Sequence, residues 1–74
     1  MANELRAAFS EVLLNRIRQD AYPSTTHMDI FESIATPRQM GQYIGHLIER
    51  LEADSQPSIS LMRRIQKLAT RFGS

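Results

Sequence analysis

Apolar residues recur at three- and four-residue steps through four stretches of the chain, the spacing that places side chains along one face of an α-helix. In the first stretch Leu5, Phe9, Val12, Leu13 and Ile17 share a face. The second carries Met28, Phe31, Ile34 and Ala35, and the third carries Met40, Tyr43, Ile44, Leu47, Ile48 and Leu51. The fourth carries Leu61, Met62, Ile65, Leu68, Ala69 and Phe72.

Turn chemistry punctuates these stretches. The first and third both run into Asp-x-x-Pro-Ser, at Asp20–Ser24 and Asp54–Ser58. Proline cannot continue a helix, because it lacks an N–H and clashes with the preceding turn. The serine after it can accept from the free N–H groups that open the next helix. Between the second and third stretches lies Thr36-Pro37-Arg38-Gln39. Thr36 is a good N-cap, Pro37 suits the first helical position, and Gln39 can close a capping box. These signals predict helices over 3–20, 25–35, 37–54 and 59–72.

The second half of the chain overlays on the first at an offset of 34 residues. Residues 12–36 align without gaps on 46–70, with 8 of 25 positions identical. The identities are Leu13/Leu47, Arg16/Arg50, Asp20/Asp54, Pro23/Pro57, Ser24/Ser58, Met28/Met62, Ala35/Ala69 and Thr36/Thr70. The expected fold is therefore all-α: two tandem helix–turn–helix hairpins from an internal duplication, closing into a compact four-helix bundle. One domain spans 1–74, with copy one at about 3–36 and copy two at about 37–72. The period matches that of tetratricopeptide repeats. Their Trp, Leu-Gly and Tyr signature is absent and the proline falls elsewhere, so the period alone assigns no family.

Composition narrows the function classes. The chain has 74 residues and no cysteine, so neither a disulfide nor a thiolate metal site supports so small a fold. No apolar run approaches the roughly 18 residues of a membrane span, and the first residues lack the order of a signal peptide. A cytoplasmic protein is expected, with no membrane association.

The net charge of +1 argues against general nucleic-acid affinity, but it is unevenly spread. Residues 1–36 hold 3 basic and 5 acidic groups, whereas residues 37–74 hold 6 basic and 3 acidic. Arg63, Lys67 and Arg71 recur every four residues in the last helix, with Arg64 beside them. At the corresponding positions of the second helix stand Asp29, Ser33, Pro37 and Ile30. A basic stripe of this kind fits an anionic partner, either an acidic protein face or a phosphate backbone. It also fits a plain solvated face, since cations are favoured toward a helix C-terminus.

Other chemistry is thin. Gly41 and Gly45 lie four apart inside the third helix, where each costs about 1 kcal/mol against alanine. Such a small-residue face lets another helix approach closely: helix 1 or helix 2 of the same chain, or a second copy in a homodimer. His27 and His46 are the only histidines, too few for a metal site without cysteine or clustered carboxylates. Ser24, His27 and Asp29 sit together at one helix start, where Ser caps and Asp complements the dipole. Tyr22, on the first turn, is a candidate partner anchor.

The sequence thus predicts a non-enzymatic interaction module with no cofactor and no metal. It would bind a protein partner through the helix face carrying Arg63, Arg64, Lys67 and Arg71. The alternative is a small DNA-binding regulator of helix-turn-helix type using the same residues.

Overall fold

The computed structural model describes residues 2–55 and 58–72. Four helices are present among them and no strand: α1 (Ala2–Gln19), α2 (Thr25–Ile34), α3 (Pro37–Ala53) and α4 (Ile59–Phe72). The all-α class holds, and each boundary lies within a residue of the one predicted. Gln56 and Pro57 of the second turn lie outside the described residues, as do Met1, Gly73 and Ser74. The chain divides into two units, Met1–Gly41 and Gln42–Ser74.

The helix ends follow the predicted chemistry. Ser24 has an extended backbone (φ −63°, ψ 137°), and its hydroxyl oxygen accepts from the backbone N–H groups of Thr26 and His27. Ser58 does the same for the N–H of Leu61, at 3.1 Å. At the far ends, Asp20 N–H donates to the Arg16 carbonyl and Asp54 N–H to the Arg50 carbonyl. Arg6 Nε donates to the Ile34 carbonyl at 2.8 Å, placing a cation on the C-terminus of α2, where the helix dipole favours one.

The 34-residue offset survives in this punctuation. Gln19 and Ala53 close α1 and α3, while Thr25 and Ile59 open α2 and α4. It does not survive in burial. Phe9 is 52% exposed, but its counterpart Tyr43 is fully buried. Leu14 is fully buried, while its counterpart Ile48 is 42% exposed. The two halves share the limits of the turn between their helices, but α4 runs four residues beyond the equivalent end of α2, and the halves turn different faces inward.

In the first unit, α1 packs on α2. The buried side chains are Ser10, Leu14 and Ile17 of α1, Phe31 of α2, and Gln39 and Met40 of the first turn of α3. This corrects the face predicted for α1. Ile17 goes inward as expected, but Leu5, Phe9 and Val12 are exposed, by 74%, 52% and 58%.

The reason is a buried polar node. Gln39 and Thr36 form the capping box: Thr36 Oγ1 accepts from Gln39 N–H at 3.2 Å, and Gln39 Oε1 accepts from Thr36 N–H at 3.0 Å. The same Oε1 also accepts from the Ser10 hydroxyl at 2.6 Å. Gln39 Nε2 donates to the Ala7 carbonyl at 3.3 Å and to Glu11 Oε2 at 3.0 Å. Both lone pairs and both protons of the amide are used, which is all a glutamine side chain offers. Ser10 must face Gln39 to take part, and Leu14 and Ile17, four and seven residues on, follow it inward.

In the second unit the buried side chains are Tyr43 and Leu47 of α3 and Leu68 of α4. Of the face predicted for α3, Met40, Tyr43 and Leu47 are buried, while Ile44 and Leu51 are half-buried. Gly41 and Gly45 do not mark a close approach. A Cβ at either position would meet nothing within 4 Å, so neither glycine is required by a close neighbour.

Two outcomes follow. Gly41→Ala and Gly45→Ala each remove a helix penalty of about 1 kcal/mol and should raise the thermal midpoint by about 4–8 °C, read by circular dichroism. Gln39→Ala strands the Thr36 N–H and leaves the Ser10 hydroxyl only the Ala7 carbonyl, at 3.0 Å, and should cost about 1–3 kcal/mol in denaturant unfolding.

Candidate interaction surface

α4 is built to show two surfaces. Ser58 caps its start, and the Thr70 hydroxyl donates back to the Gln66 carbonyl at 2.8 Å. Leu68 is buried, with Leu61, Arg64 and Ile65 half-buried around it. Turned away from that seam are Arg63, Lys67 and Arg71, all exposed. Successive members of the stripe stand about 6 Å apart along the helix axis. α4 contains four cations and no carboxylate, so no acidic side chain of its own helix neutralises the stripe.

The sequence grouped four basic residues, and the structure separates them. Arg64 sits half-buried and engaged beside the seam, while the other three are solvent-facing. The Arg71 guanidinium lies 5.2 Å from the centroid of the Phe72 ring, a cation–π arrangement that places charge next to an aromatic surface. Phe72 is itself 49% exposed. Ile59 and Met62, also on α4, are exposed by 63% and 39%. The sequence pattern assigned Met62 and Phe72 to the core and left Ile59 unplaced, because apolar spacing does not show how wide a buried stripe is.

Tyr22 projects from the turn between α1 and α2 and is 95% exposed. It does not pack on its own turn. It belongs to the first unit, whereas the α4 stripe belongs to the second.

The Ser24 hydroxyl oxygen is occupied by two backbone N–H groups at the start of α2. His27 is half-buried, and its Nδ1 is shielded from solvent with no hydrogen-bond partner among the described residues. Among the described residues no group of three or more His, Cys, Asp or Glu side chains is placed to hold a metal ion. None of the helices there is long and apolar enough to cross a membrane.

No protein-family model matches the chain, and no curated protein or solved structure is detectably similar to it.

Proposed function

We propose that the chain is a non-enzymatic interaction module whose α4 binds an acidic face of a protein partner. The observation that carries this reading is the exposed stripe of Arg63, Lys67 and Arg71 at one-turn spacing on a helix without carboxylates. Three solvated cations held in register on a capped helix form a rigid array, and their mutual repulsion is relieved when a complementary anionic surface docks.

A protein partner is favoured over a phosphate backbone by the other exposed side chains of the helix. Ile59, Met62 and Phe72 offer apolar area that a sugar–phosphate chain leaves uncovered, whereas a protein face can bury it. Arg71 stacked near Phe72 joins the two characters at the C-terminal end. Tyr22, a large amphipathic side chain standing clear of its turn, is a second anchor of the residue type that concentrates binding energy at interfaces.

The test pairs an acidic helical peptide with a DNA duplex, each titrated at two salt concentrations. The expected result is saturable peptide binding that weakens about tenfold or more in the triple variant Arg63→Glu, Lys67→Glu, Arg71→Glu, with helix content unchanged. Peptide binding unaffected by that variant sinks the proposed surface. Duplex binding with a log–log salt slope of about −3, lost in the same variant, would transfer the stripe to nucleic acid.

A further inference from the structure

We draw no further inference here: the strongest candidate, the strip of Leu5, Phe9 and Val12 on the exposed face of α1, is flanked by Glu4 and Arg6 of opposite charge, and nothing in the structure shows what covers it.

Discussion

The Gln39 side-chain amide is the point on which the first unit is organised. It joins the Thr36 cap to one stretch of α1, through the Ser10 hydroxyl, the Ala7 carbonyl and the Glu11 carboxylate. A buried amide left unpaired is costly, and a partner removed from such a node costs more than the bond contributed. The node therefore fixes the rotation of α1 about its own axis. Magnitudes make this plausible. Burying Leu5, Phe9 and Val12 would be worth about 1.5–3 kcal/mol per side chain. The inward face offers only Leu14 and Ile17 at the same rate, but the three bonds from Gln39 to α1, at about 0.5–1.5 kcal/mol each, restore the balance. With two apolar faces of similar worth, the polar bonds decide.

That decision has a consequence for the surface. Turning Ser10 inward leaves a ridge of Leu5, Phe9 and Val12 in solvent, which no local interaction compensates. The second unit shows the contrast. Ile44 stands where Ser10 would be at the 34-residue offset, so no hydroxyl directs the helix there, and Tyr43 and Leu47 go inward instead. The same turn positions thus frame two different buried faces, and surface apolar groups gather on α1 in one unit and on α4 in the other. On the proposed reading, function lies in which helix faces remain uncovered, and with what charge beside them.

Much of this was legible in the sequence and some was not. Helix limits could be read because Pro23, Pro37 and the serines or threonine beside them act locally, through missing donors and capping oxygens. The Thr36–Gln39 box was legible for the same reason. The face of α1 was not, because its spacing supports two stripes, and the choice between them rests on contacts between Ser10 and Gln39, 29 residues apart. A serine within an apolar helix, at four and seven residues from Leu14 and Ile17, was the available signal. The glycines misled for a different reason. Gly41 and Gly45 suggest a close neighbour, but the space beside them is open. On α4 the basic stripe was legible from spacing alone, whereas the setting apart of Arg64 depends on where the buried seam falls.

The most direct test of the account is the rotation of α1, and the absence of cysteine from the chain makes it accessible. Single cysteines placed in turn at Leu5, Phe9, Val12, Ser10, Leu14 and Ile17 can be timed for reaction with a thiol reagent in dilute, folded protein. The account predicts rapid labelling at the first three positions and strong protection at the last three. Protection at Phe9 and Val12 together with rapid labelling at Leu14 and Ile17 would contradict it.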